Sequence, residues 1–143
     1  MEPLEMFVYG LCSGLWNVLG EGAGAIIRDN GREIYNAFIR DKIDKSSVED
    51  ALKSFQKVVE ELGVCKEIDC SISGDKIEVK IEGCILSKVS DKLAENDVSL
   101  RVFCPYAAVI EALLEDIKAG GYFLESLEKK PGEATHIVLR RQE

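Results

Sequence analysis

The stretch Ile68-Asp69-Cys70-Ser71-Ile72-Ser73-Gly74-Asp75-Lys76-Ile77-Glu78-Val79-Lys80-Ile81 decides how the rest of the chain is read. Ile68, Cys70 and Ile72 alternate with polar residues, and so do Ile77, Val79 and Ile81. A period of two is that of a strand with one buried face. Ser73-Gly74-Asp75-Lys76 lies between the runs, so they fold back as an antiparallel hairpin. A second hairpin is expected at the C-terminus. Tyr122 to Lys129 is followed by Lys130-Pro131-Gly132-Glu133 and then Ala134 to Arg141, and Pro before Gly suits a type II turn.

Outside these hairpins the apolar residues recur at helical spacing. Leu4, Phe7, Val8, Leu11, Leu15, Val18 and Leu19 draw one stripe, and Ala23, Ile26, Ile27, Ile34, Tyr35, Phe38 and Ile39 a second. The clearest helix begins at Ser46-Ser47-Val48-Glu49, a capping-box pattern with Ser46 as the cap. It continues through Ala51, Leu52, Phe55, Val58, Val59 and Leu62 to Gly63, which supplies the stop. Residues 84–94 read as a short helix carrying Ile85, Val89 and Leu93, before the polar break Glu95-Asn96-Asp97. Pro105 opens a last helix that runs towards a stop at Gly120-Gly121. The expectation is a single α+β domain over residues 1–143, with N-terminal and central helices packed on a small antiparallel sheet of two hairpins.

Composition restricts the partners. The chain has 143 residues and a formal net charge of −8, with Lys and Arg scattered among Asp and Glu. Nucleic acids and anionic membranes require a basic footprint, which is absent. Residues 3–19 are apolar, but Ser13 and Asn17 interrupt them and no basic region precedes them. That fits neither a membrane span nor an export signal. Five cysteines, Cys12, Cys65, Cys70, Cys84 and Cys104, are expected as reduced thiols in a cytoplasm.

The interior glycines Gly10, Gly14, Gly24 and Gly31 each cost a helix about 1 kcal/mol. Close approach of helix backbones, within the chain or in a homodimer, accounts for them. Gly20-Glu21-Gly22-Ala23-Gly24 lacks the preceding strand that a nucleotide-binding fingerprint needs. With His136 the only histidine, a multi-histidine metal or acid–base site is excluded. Cys65 and Cys70, five apart on extended chain, point to opposite faces. Cys84 and Cys104 each lie where extended chain meets a helix. There thiols can converge, and a lowered thiol pKa at a helix start would favour metal binding.

The run Ile77 to Cys84, then Cys104-Pro105-Tyr106, then Gly132 in the last turn, resembles the 4-vinyl reductase domain family. That family is similar in fold to subunits of the TRAPP vesicle-tethering complex. The resemblance implies a small-molecule or hydrocarbon-binding domain with four metal ligands. Cys84 and Cys104 match two of them. Glu128 and His136 stand at the positions of the other two, all four being acceptable zinc ligands.

The expected function is binding or sensing of a small apolar molecule without catalysis, in a pocket lined by Trp16, Tyr35, Phe103 and Tyr106. The alternative is a homodimeric interaction module with a structural zinc or no ligand. A reductase accessory is the third reading, with no cofactor motif behind it.

Overall fold

The computed structural model describes residues 1–142. Two hairpins form one four-stranded antiparallel sheet in the order β1-β2-β4-β3, with β1 at Glu67–Ser73, β2 at Lys76–Glu82, β3 at Tyr122–Lys129 and β4 at Thr135–Arg141. The hairpins join where β2 pairs with β4, which sets Val79 opposite Ile137 and Ile77 opposite Leu139. These four side chains are almost completely buried on one face. The other face carries Glu78, Lys80 and His136. The last turn closes through Glu133 N–H donating to the Lys130 carbonyl at 2.9 Å, with Gly132 at φ 75°. That positive φ is what a type II turn requires and glycine supplies freely.

Helix α1 (Pro3–Leu19) passes through a 3₁₀ turn, Gly20–Gly22, into α2 (Ala23–Ile34). A π turn, Tyr35–Ile39, prolongs α2 and brings Tyr35 and Ile39 into the core. Helix α3 (Val48–Glu61) lies against β1. Helix α4 (Ser87–Glu95) and a single turn, α5 (Leu100–Phe103), precede α6 (Pro105–Asp116). Helix α6 is the spine of the domain. Ile110 and Leu113 are fully buried in the main core with the sheet residues and α3, and α2 packs along α6. A smaller cluster of Ala23, Val89, Leu93, Val98 and Phe103 fills the space under α1.

Glycine between helices is required at one place. A Cβ on Gly31 would come 2.5 Å from the Cβ of Ala108 and 2.6 Å from its backbone carbon, so α2 and α6 touch there nearly backbone to backbone. Gly10 and Gly14 meet nothing within 4 Å. They lie on α1, which contains no buried residue. The expected apolar stripe of α1 is split between two faces. Val8 and Leu15 pack inward against the smaller cluster, whereas Leu4, Phe7, Leu11 and Val18 are exposed.

Two boundaries differ from the sequence reading. The N-cap of α3 is Ser47, whose hydroxyl accepts from Asp50 N–H at 3.0 Å. Ser46 is turned away by bonds to the Asp44 carboxylate. Helix α6 stops at Asp116, and Lys118 takes the left-handed conformation at φ 60°. The Gly120-Gly121 pair lies beyond the helix end.

Candidate functional site

A chamber of about 140 Å³ lies between the end of the β3–β4 hairpin, α4 and the start of α6, roofed by α1 and α2. Cys84, Cys104 and Cys12 supply thiols to its wall, and Phe103, Tyr106 and Leu127 supply apolar surface. Two inward-facing strand residues complete it. Lys129 and Thr135 are register partners at the end of the hairpin, and both reach the cavity. The Lys129 side chain is only 4% exposed, and its Nζ lies 2.5 Å from Asp91 Oδ1 on α4. An ammonium with three protons therefore sits in apolar surroundings with one protein acceptor among the described residues.

The sheet explains how a lysine comes to face inward. Between Leu124 and Ser126 the register with β4 slips by one residue at Glu125. A bulge reverses which residues face the core. Tyr122 and Leu124 point in before it, and Leu127 and Lys129 after it. Glu128, which would continue the phase of Leu124, is instead exposed on the outer face. It stands opposite His136, which is opposite Lys80 on the next strand.

The four residues expected to hold zinc are thus not brought together. Cys84 and Cys104 line the chamber, and Glu128 and His136 lie on the open side of the sheet. Among the described residues no three His, Cys, Asp or Glu side chains converge in a way that holds a metal ion. The expected lowering of a thiol pKa at a helix start also fails for Cys104. It occupies the N-cap of α6, and amides of Ala107 and Tyr106 do favour its thiolate, but burial outweighs them and pushes the thiol up to about 11. Burial raises Cys12 as well.

Of the four aromatics expected to line a pocket, Phe103 and Tyr106 do so. Trp16 braces the wall from behind, its ring 6.3 Å from that of Phe103 in an edge-on arrangement. Tyr35 is elsewhere. It is buried between α2 and α6 and donates to Asp116 Oδ2 at 2.7 Å. Tyr106 has a second role, its hydroxyl donating to the Val64 carbonyl at 2.9 Å and facing Cys84 Sγ at 3.4 Å. Burial, followed by the neighbouring Cys84, raises the Tyr106 pKa, so the phenol is held as a donor.

Two other hollows border the chamber. An apolar groove of about 130 Å³ shares Cys84, Leu86, Pro105 and Tyr106 with it and is otherwise lined by residues such as Phe55 and Val59. A larger cleft, about 470 Å³, opens beyond Cys104. Its Arg101 already donates to the backbone carbonyls of Leu124 and Glu125. The chamber, with Lys129 inside it, is the better-built site.

Comparison with known proteins redirects the family expectation. A family model described as "Putative rubredoxin C-terminal domain" matches residues 4–142. A curated relative from Methanothermobacter thermautotrophicus, named "Putative rubredoxin", is 28% identical over 137 residues, covering 96% of this chain and 70% of the relative. The expected resemblance to the 4-vinyl reductase family is overturned by that match. The features that carried it, a Cys after a strand, a Cys-Pro before a helix and a Gly in a hairpin turn, are too few and too short to specify a family.

The relative's name raises the question of iron. An iron–sulfur centre of this kind takes four sulfur ligands in a tetrahedron. Cys65, Cys84 and Cys104 lie around Tyr106, but Cys12 is on α1 and Cys70 on β1, and among the described residues no three such side chains converge to hold a metal ion. The residues of this domain do not fit a four-thiolate iron site. What the comparisons show is kinship over nearly the whole length, and on that ground the chain belongs to the family described as the putative rubredoxin C-terminal domain.

Proposed function

We propose that the domain binds a small, mostly apolar molecule bearing one anionic group in the chamber, and that it holds this molecule without transforming it. The observation that carries the reading is Lys129. Burying an ammonium is costly unless it is paired and hydrogen-bonded, and Asp91 satisfies one of its three donors. A ligand carboxylate, sulfonate or phosphate would take the others. The rest of the wall, with Phe103, Leu127, Val89 and Leu93, suits an apolar body. The volume of about 140 Å³ is close to that of a cavity of about 150 Å³ that accepts benzene.

Native mass spectrometry of the purified chain, prepared without chelator, tests this reading. An organic mass increment that disappears in Lys129→Met supports it. An increment that survives the substitution, or one matching zinc or iron, contradicts it.

A second reading concerns α1. Leu4, Phe7, Leu11 and Val18 form an outward apolar row that no part of the chain covers among the described residues. Gly10 and Gly14 on the same helix leave its backbone open to close approach. A second copy of the chain, packing α1 against α1, is the occupant this reading names. Sedimentation of the wild type and of Phe7→Glu tests it. A dimer that the substitution dissociates agrees, and a monomer at every concentration does not.

A further inference from the structure

Beyond the chamber, the backbone at the open end of the first hairpin brings two cysteines close together. Strand β1 pairs with β2 from Ser73–Lys76 to Glu67–Glu82. There the regular ladder ends: Gly83 takes the left-handed conformation at φ 65°, and Lys66 N–H is shared between the Glu82 carbonyl at 2.9 Å and the Gly83 carbonyl at 3.2 Å. Ile85 N–H still donates to the Val64 carbonyl at 3.0 Å, so the two chains stay tied on both sides of Cys65 and Cys84. The two thiols lie near each other and both lie beside the Tyr106 hydroxyl.

Position alone would make this a packing contact. Three further observations give it chemistry. Both cysteines are free thiols, Cys65 buried and Cys84 partly exposed. The Cys84 sulfur is fixed in place by Leu86 N–H at 3.3 Å and the Tyr106 hydroxyl at 3.4 Å, and the same hydroxyl lies beside Cys65. Cys84 also lines both the chamber and the adjoining apolar groove, so a reagent in either can reach it. The other thiols lack this arrangement. Cys70 is farther along β1 opposite Val79, and Cys104 caps α6.

We propose that Cys65 and Cys84 form a redox-active dithiol that closes to a disulfide by exchange with a low-molecular-weight disulfide. Cys84, the accessible partner, loses its proton and attacks one sulfur of the reagent. This forms a mixed disulfide and releases one reagent thiolate, which takes up that proton. Cys65 then gives up its proton and attacks the Cys84 sulfur, forming the intramolecular bond and expelling the second reagent thiol. Two protein thiols are oxidised and one external disulfide is reduced to two thiols, so electrons and protons balance. Closure draws the Cys84 sulfur from Tyr106 towards Cys65, at a point shared by the chamber and the groove.

The experiment is oxidation of the wild-type chain with oxidised glutathione, alkylation of the remaining thiols, and peptide mapping by mass spectrometry. The expected result is loss of two of the five free thiols, recovered as a Cys65–Cys84 cross-linked peptide. Cys65→Ser should stop at glutathione on Cys84, and Cys104→Ser should leave the cross-link unchanged. A cross-link from Cys84 to Cys104 would overturn the proposal. So would full retention of all five thiols, or a stable mixed disulfide on Cys84 of the wild type. Because the readout is a peptide bond map, it holds whether or not the chamber proves to bind an anion.

Discussion

Replacing Asp91 by Asn removes the negative charge opposite Lys129 with little change in shape. The ammonium, in a side chain only 4% exposed, is then left buried among Phe103, Leu127 and thiols. Breaking a buried ion pair from one side costs about 3–5 kcal/mol. Asp91 is 31% exposed, so water reaches the vacated side, and a discounted cost of about 2–3 kcal/mol is expected. For a chain of this length that lowers the melting temperature by roughly 6–10 °C. Lys129→Met behaves differently, because it removes the buried charge and leaves the partly hydrated Asp91 to solvent. Its cost should stay within about 1 kcal/mol of zero. Urea and thermal unfolding followed by circular dichroism measure both variants. Equal stability of Asp91→Asn and the parent would refute the reasoning, as would an equal loss in Lys129→Met.

Other expectations follow from the helices and from a carboxylate. Gly31→Ala must part α2 from α6 at a contact that is largely backbone, and should cost about 1–3 kcal/mol despite better helix propensity. Gly14→Ala, with open space around it, should instead gain up to about 1 kcal/mol in the same unfolding assay. Asp116 is pushed up by burial but held below the ordinary carboxyl range by Tyr35, Lys45 and Arg40, whose combined effect is the larger. A folded-state pKa below the unfolded one means that its contribution is fully present above the unfolded aspartate pKa. That contribution is lost as pH falls through the folded value. Asp116→Asn should therefore flatten the acid limb of stability against pH, and an unchanged limb would count against the assignment. Leu11→Glu, on the outward row of α1, should leave the monomer's stability within about 0.5 kcal/mol while weakening any α1-mediated dimer seen by sedimentation.

Much of the architecture is legible because the signals are local. Period-two alternation at Ile68–Ile81, the Pro131-Gly132 turn and Gly63 after α3 each specify their element without help from distant residues. Where two local solutions compete, tertiary contacts decide. Ser46 and Ser47 both suit an N-cap, and the Asp44 carboxylate occupies Ser46. The end of α6 carries no residue signal, since Lys118 takes a conformation normally left to Gly or Asn. The site was half legible. Cys84, Cys104, Phe103 and Tyr106 lie beside recognisable helix starts and do meet around the chamber. Lys129 was hidden because a bulge at Glu125 reverses the strand phase, the same shift that sends Glu128 outward. Its partner Asp91 is 38 residues away on what reads as a solvated helix face. The nearness of Cys65 and Cys84 depends on a bond made beyond the regular ladder, from Ile85 N–H to the Val64 carbonyl, which no local pattern in the sequence announces.

The most direct test of the central claim is a titration of benzoate, a small apolar anion, into isotopically labelled protein followed by amide chemical shifts. The account predicts saturable shifts centred on Val89, Leu127, Lys129 and Thr135 that weaken at least tenfold in Lys129→Met, with neutral benzamide binding the wild type more weakly than benzoate. Shifts confined to the outer face around Lys80 and His136, or equal binding by Lys129→Met, would contradict it.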